Sequence, residues 1–422
     1  MSSEEFGSLL HISPGLSAEN LNMALTKWFD KEMQFTHWEY VGDTGKGDSY
    51  LSEVIRIKVY GKDNNEESHH IQVLLKNIPK SVSRRLTFRS AEFFKNEIQF
   101  YEHILPALLK FQEKKQLTDP FTNYAKLFLS YCDGENDFII LEDATIDNFG
   151  PAIRQKGIDL AHCEMTLKTF AKFHALSFAM RDQETKAFKV ISVKLEEMYY
   201  HERLWGWYER FWARLSRTAI DAVEKEYPDS VYLEKVKQFC TPECYRKISA
   251  VVIDTKKNGV ISHGDSWTNN FLYKYMDGRI PLDAKMIDFQ LSRCASPVLD
   301  ISFFIYACTT KDLRDKHYDY MLKFYYDLLA KQIKELGSDP DKIYSRDMFM
   351  EEIKKYSFFG LAFSFESVPF IVLDPDDAFN MEMKGDAKLN IEEVWPVPLF
   401  KTKEGRLREA DNVVHAVDHG YI

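Results

Sequence analysis

The sequence predicts an α+β protein of two lobes, a small β-rich lobe over 1–140 and a larger, mainly helical lobe over 141–422. Three observations carry this. Strand-like alternation is concentrated early, in Tyr50-Leu-Ser-Glu-Val-Ile-Arg-Ile-Lys-Val-Tyr60 and Ile71-Gln-Val-Leu-Leu-Lys76, where side chains with a period of two suit a half-buried sheet. Helical periodicity dominates later, in Cys163 to Phe178 and in the aromatic-rich stretch Leu204 to Leu215, where a period near 3.6 lines up one apolar face. Between the two regimes the apolar strand Phe138-Ile-Ile-Leu-Glu142 stops abruptly at two carboxylates, Glu142 and Asp143.

The small lobe opens with a leading helix from about residue 16, because Leu16, Leu21, Ala24, Leu25, Trp28 and Phe29 recur at helical spacing and Ser13-Pro-Gly-Leu-Ser17 supplies cap residues. The small residues of Gly42-Asp-Thr-Gly45-Lys-Gly47-Asp-Ser49 then precede the strands. Gly45, Gly47 and Ser49 are candidates to lay backbone N–H groups over phosphates. The hairpin follows, with Gly61-Lys-Asp-Asn-Asn65 as its turn. Lys76 ends the second strand, and a helix over 91–102 presents Glu97 beside the apolar Phe93, Phe94 and Tyr101. A Lys76–Glu97 pair is expected, with Glu92 and Glu102 as the competing carboxylates. At the end of the 138–142 strand, Leu141 is placed to line a base pocket, while Glu142 and Ala144 offer backbone groups to it.

In the larger lobe His174, on an apolar helix face, is assigned a structural hydrogen-bonded role. Asp300 stands before an apolar helix and is expected to cap it and to hold the loop at 263–270. The run 356–373 is apolar but broken by Gly, Ser, Glu and Pro, which reads as a buried helix and not a membrane span. The charged tail from about 376 is expected to be partly loose.

Composition narrows the function. A hydrophobic fraction of 45% with 14% aromatics supports a large core, and the formal net charge of −10 without a Lys/Arg stripe argues against nucleic acid as a partner. Six cysteines, at 132, 163, 240, 244, 294 and 308, lack disulfide density and zinc spacing. No apolar run reaches eighteen residues, and the start Met-Ser-Ser-Glu-Glu-Phe has no signal-peptide pattern. A cytoplasmic protein with no membrane partner, and no evident obligate protein partner, is expected.

The most specific pattern is His263-Gly-Asp-Ser-Trp-Thr-Asn-Asn270 followed by Met286-Ile-Asp-Phe-Gln290. Transfer of a phosphoryl group spreads negative charge over its oxygens, so a site for it must supply divalent cations and hold nucleophile and leaving group in line. Magnesium prefers oxygen ligands and keeps several waters, so one carboxylate and one amide oxygen suffice. Asp265, Asn270 and Asp288 are the groups in that order: Asp265 to take the proton of an attacking hydroxyl, Asn270 and Asp288 to hold metal.

With Asn96-Glu97-Ile-Gln-Phe-Tyr-Glu-His-Ile-Leu-Pro106, Leu141-Glu-Asp143, Phe173-His-Ala175 and Asp300, these motifs resemble the ecdysteroid kinase-like family of arthropod and nematode proteins. That family shares a protein-kinase-like fold with aminoglycoside phosphotransferases and choline kinases. The resemblance implies ATP and Mg2+ as cofactors and phosphorylation of a hydroxyl on a small alcohol, with ecdysteroids and related secondary metabolites or xenobiotics as the substrate class, and hormone inactivation or detoxification as the role. It makes Lys76 and Glu97 the phosphate-gripping pair, Asp265 the base, and Asn270 and Asp288 the magnesium ligands. Trp267, two residues after the base where protein kinases usually carry Lys, favours a small acceptor over a peptide and is a candidate substrate contact. Two alternatives stand beside this reading. One is a choline, ethanolamine or aminoglycoside kinase, whose cationic acceptor wants an acidic or aromatic-caged pocket. The other is a non-catalytic binder of ATP or of a lipophilic ligand.

Overall fold

The computed structural model describes residues 9–43, 52–254, 258–276, 279–372, 383 and 386–422. Helix α1 (Ala18–Phe29) begins where Ser17 accepts from the Asn20 N–H. It packs on a five-stranded antiparallel sheet of order β1-β2-β3-β5-β4, made of β1 (Met33–Asp43), β2 (Glu53–Asp63), β3 (Ser68–Asn77), β4 (Leu127–Tyr131) and β5 (Phe138–Glu142). The expected hairpin is β2–β3, in register Val54 with Lys76. Its turn lies later than the sequence suggests, because Gly61 is inside β2. A Cβ there would meet Leu25 Cδ1 at 2.8 Å and the Gln34 carbonyl at 2.9 Å, so this glycine serves the close approach of α1 and β1. The link between β1 and β2 carries Gly45, Gly47 and Ser49, which lie outside the described residues.

Between β3 and β4 come α2 (Val82–Phe88), α3 (Ser90–Gln99) and α4 (Leu105–Glu113), with a π turn at Phe100–Ile104 joining the last two. Pro106 has no N–H for the preceding turn, and the wider turn before it absorbs that missing bond without ending the helix. The predicted helix therefore runs on through residue 113, and α3 places buried Glu97 under the sheet.

The larger part of the chain adds β6 (Phe149–Pro151), α5 (Leu160–Gln183), α6 (Thr185–Ser192), α7 (Trp205–Glu226), α8 (Val231–Phe239), α9 (Pro242–Val252), β7 (Val260–Ser262), β8 (Phe271–Met276), β9 (Ile280–Met286) and β10 (Arg293–Ala295). The helices α10 (Pro297–Cys308), α11 (Lys311–Glu335), α12 (Pro340–Ile343), α13 (Arg346–Tyr356), α14 (Phe358–Val372), α15 (Ile391–Val394) and α16 (Lys403–Asp418) complete it. The fold is thus the expected α+β arrangement of two lobes, a sheet-based one and a helical one. Each has its own apolar cluster, one under the β1–β5 sheet and a larger one threading α3 to α16. Helices α10 and α14 touch at Gly360, where a Cβ would sit 2.2 Å from the Ser302 carbonyl carbon. Among the described residues no helix is long and apolar enough to cross a membrane, and all six cysteines are free thiols.

One expectation needs correction. Asp300 is not the cap of its helix: Ser296 is, accepting from the Val298 N–H, and Asp300 lies one turn inside. Of the tail from 376, residues 376–382, 384 and 385 lie outside the described residues, while α16 is a full helix whose Glu409, Asn412 and Val413 are buried against the core. Its charged residues hide a helical period, with Ala410, Val413, Val414 and Ala416 on the inner face.

Candidate active site

The site is built on a loop whose backbone is tied down before any functional side chain is considered. Buried Asp300 accepts from the His263 N–H at 2.7 Å, the Gly264 N–H at 2.8 Å and the Ser266 hydroxyl at 3.0 Å, and its Oδ2 also meets His174 Nε2 at 3.1 Å. Burial pushes its carboxyl up, but the bonds and charges of His174, His263 and Gly264 outweigh that and hold it below the usual carboxylate range. Asp300 thus braces the loop as expected, and His174, oriented from its other side by Tyr325, is structural. Gly264 has φ +83, and a Cβ on it would lie 1.9 Å from the Leu291 carbonyl oxygen. Only glycine fits between His263 and Asp265.

His263 is the second brace. Its Nδ1 faces the Asp265 N–H at 3.2 Å, so Nε2 carries the proton and donates to the Ile287 carbonyl at 2.9 Å. Burial keeps the ring neutral by lowering its pKa. That bond links the loop to the strand end holding Asp288, and the Ile287 N–H bonds back to the Asn270 carbonyl at 3.0 Å. Asp288 follows at φ +65, ψ 68, a left-handed conformation that Asp tolerates and that turns its carboxylate into the cleft.

On this frame the predicted residues converge. Lys76 Nζ lies 2.7 Å from Glu97 Oε2 and 2.8 Å from Asp288 Oδ1, so one cation bridges both lobes. Burial disfavours the charged ammonium, but the two carboxylates outweigh it and raise the Lys76 pKa. Glu97 is also raised, by burial first and by the Asp288 charge, against the pull of Lys76. It is the partner that the sequence selects over Glu92, which pairs with Arg89, and over Glu102, which bonds Ser130. Asn270 donates to the Asp265 carbonyl at 2.9 Å. The Asp265 carboxyl is pushed up to about 8 by burial and by the neighbouring Asp288 charge.

Two cavities open from this point. The first lies between the lobes and is faced by Val54 and Leu74 from the sheet, Leu272 and Ile287 from the opposite lobe, and Lys76, Glu97 and Asp288 at its inner end. Leu141, Glu142, Asp143 and Ala144 form its rim. The Glu142 N–H is already donated to the Lys126 carbonyl, and its carboxylate pairs with Lys285. The second cavity is lined by Asp265, Trp267, Tyr199, Phe363, Glu366 and Trp395, among others. The two cavities share Ser52, Asn270 and Asp288 as a common wall.

The residues present fit Mg-ATP. Asp288 and Asn270 offer the hard oxygen donors at the shared wall, Lys76 offers charge to phosphates, and two apolar plates face each other across the first cavity. Asn269 also lines that cavity, and its Nδ2 is buried with no hydrogen-bond partner among the described residues. Sequence reasoning missed Asn269, although it stands inside the motif beside Asn270. It also missed Asn96, whose amide donates to the Gln290 and Ser292 carbonyls at 2.9 Å each and accepts from the Glu196 N–H at 3.1 Å. Glu366 was missed too, although a lone carboxylate in the apolar run 356–373 is a signal that it has a buried polar task.

No curated protein sequence matches the chain. Solved structures that match include Plasmodium vivax ethanolamine kinase, at 12% identity over 79% of this chain and 80% of that one, with a TM-score of 0.35. The GDP and kanamycin complex of APH(2")-IIia matches at 14% identity over 82% and 89%, TM-score 0.36. The GDP complex of wild-type aminoglycoside 2'-phosphotransferase-IIIa matches at 14% over 83% and 99%, TM-score 0.32. These likenesses are distant. A sequence model described as the ecdysteroid kinase-like family matches residues 46–338.

Proposed function

The chain belongs to the ecdysteroid kinase-like family, and from that premise we propose that it transfers the γ-phosphoryl group of ATP to a hydroxyl of a small organic acceptor, an ecdysteroid or a related apolar secondary metabolite or xenobiotic. The observation that carries this reading is the shared wall: a base-sized apolar cleft and an aromatic pocket meet at Asn270 and Asp288, with Asp265 on the pocket side.

In this reading the first cavity takes ATP, with the adenine between the apolar plates against Leu141 and Ala144. Lys76, held by Glu97, grips the phosphates and turns the γ-phosphorus toward the wall. Magnesium supplies the positive charge that offsets the phosphates, and Asp288 and Asn270 are the residues to hold it. The acceptor enters the second cavity against Trp267 and brings its hydroxyl to Asp265. As the acceptor oxygen bonds to the γ-phosphorus, the bond to the bridging oxygen of ADP breaks and the hydroxyl proton passes to an Asp265 carboxylate oxygen. Burial and the neighbouring Asp288 charge raise the affinity of the Asp265 carboxylate for the proton it receives.

The test is transfer of label from γ-labelled ATP into a panel of ecdysteroids, other hydroxylated secondary metabolites and simple alcohols, with Asp265→Asn as the blank. Label in an organic phosphate ester with wild type and none with the variant is expected. Equal label with both proteins sinks the assignment of Asp265.

A further inference from the structure

The acceptor pocket contains a buried carboxylate that phosphoryl transfer does not use. Glu366 lies in α14 and is 8% exposed. Its Oε1 accepts from the Tyr199 hydroxyl at 3.2 Å and its Oε2 from the Tyr208 hydroxyl at 2.7 Å. Burial pushes this carboxyl up to about 7, against the pull of the two hydroxyls.

No ion pair reaches Glu366 among the described residues. Arg293 is committed to Glu197 at 3.0 Å. No Lys, Arg or His is among the described residues that line the pocket, while Asp265 and Asp288 add two further carboxylates to it. Six aromatic side chains, Tyr199, Trp267, Phe303, Phe363, Phe370 and Trp395, share the wall with Leu291 and the neutral polar Ser52, Asn270, Gln290 and Ser367. Two hydroxyl dipoles return only part of what it costs to bury a carboxylate away from water and without a cation. A ligand cation would complete the balance, and ring faces attract the same charge. An anionic acceptor meets three carboxylates, of which only Asp288 has an ion-pair partner, Lys76, and no cationic side chain among the described lining residues.

We propose that Glu366 is a specificity-determining residue that receives a protonated amine of the acceptor, so that the molecule phosphorylated here is a hydroxylated amine with an apolar body. This rests on the kinase reading above and narrows its acceptors to the amine-bearing secondary metabolites or xenobiotics, leaving out the ecdysteroids, which carry no amine. Folded around Glu366, the aromatic side chains form the kind of acidic, ring-lined pocket that a cationic acceptor wants.

The test uses a matched pair of compounds of nearly equal shape, 2-amino-1-phenylethanol and its carbon isostere 1-phenylpropan-1-ol. Each is titrated calorimetrically into the full chain with Mg2+ and a non-hydrolysable ATP analogue, then offered as acceptor with γ-labelled ATP. The amine is expected to bind at least about tenfold more tightly than the isostere, the gain of one charge-assisted contact. That preference collapses in Glu366→Gln and survives in part in Glu366→Asp, which keeps the charge, and the loss falls on the KM for the amine more than on kcat. A wild-type protein that does not prefer the amine, absence of binding included, overturns the proposal without recourse to any variant. So does a preference unchanged in Glu366→Gln. An amine preference that depends on Glu366 but leads to no labelled product keeps this pocket assignment and sinks the kinase reading. Label passed to the neutral alcohol as efficiently as to the amine does the reverse.

Discussion

The two sides of the cleft handle negative charge in opposite ways. On the nucleotide side each carboxylate has a protein cation: Lys76 bridges Glu97 and Asp288, Lys285 meets Glu142, and Arg56 meets Asp143 at 3.3 Å. On the acceptor side Asp265 and Glu366 have amide and hydroxyl neighbours and no ion pair among the described residues. On the proposed reading, the difference separates charge that is built in from charge that arrives with a ligand. The phosphate-gripping frame is set before nucleotide binds, which lowers the reorganisation needed at the moment of transfer. On the acceptor side, burial raises the carboxyls of both Asp265 and Glu366.

Four substitutions break or sharpen this contrast, and the largest effect belongs to the acceptor side. Asp265→Asn removes the proton acceptor and lowers turnover by about a thousandfold, within the span usual for general-base removal, as read by initial rates with saturating ATP. Asp288→Ala removes a metal ligand and the second partner of Lys76, and it raises the Kd for Mg-ATP by about a hundredfold. Chelating the metal with EDTA should reproduce that loss in wild type. Glu97→Gln strands one end of the Lys76 bridge. Because Asp288 still holds the lysine, it costs about 2 kcal/mol in chemical denaturation, less than the full loss of a buried pair. Asn96→Ala releases three hydrogen bonds between α3 and the segments at 196 and 290–292, two of them to the Gln290 and Ser292 carbonyls. It costs about 1 kcal/mol, with a small rise in the KM for ATP.

What was legible in sequence follows the same division. The nucleotide side could be read because its groups sit in short motifs: His263 to Asn270 and Ile287-Asp-Phe lie on adjoining turns, and Lys76 and Glu97 end a strand and face inward from a helix. Gly264 is explained by a close approach to Leu291 that spacing alone does not reveal. The acceptor side was hard to read because Tyr199, Phe303, Glu366 and Trp395 come from four distant segments that only the helical packing brings together. Asp300 shows a subtler failure. A carboxylate at a helix start reads as a cap, and it took the fold to show Ser296 in that place and Asp300 turned toward the loop. The π turn before Pro106 and the inward face of α16 were masked in the same way, by a proline and by charge. In both cases tertiary packing decided.

The measurement that tests the contrast most directly is the Mg-ATP affinity of Asp265→Asn and Asp288→Ala, titrated side by side with wild type. The account predicts that Asp265→Asn binds Mg-ATP within about twofold of wild type while Asp288→Ala falls about a hundredfold. Equal losses in the two variants, or a loss in Asp265→Asn alone, would contradict the division of the cleft into a nucleotide side and an acceptor side.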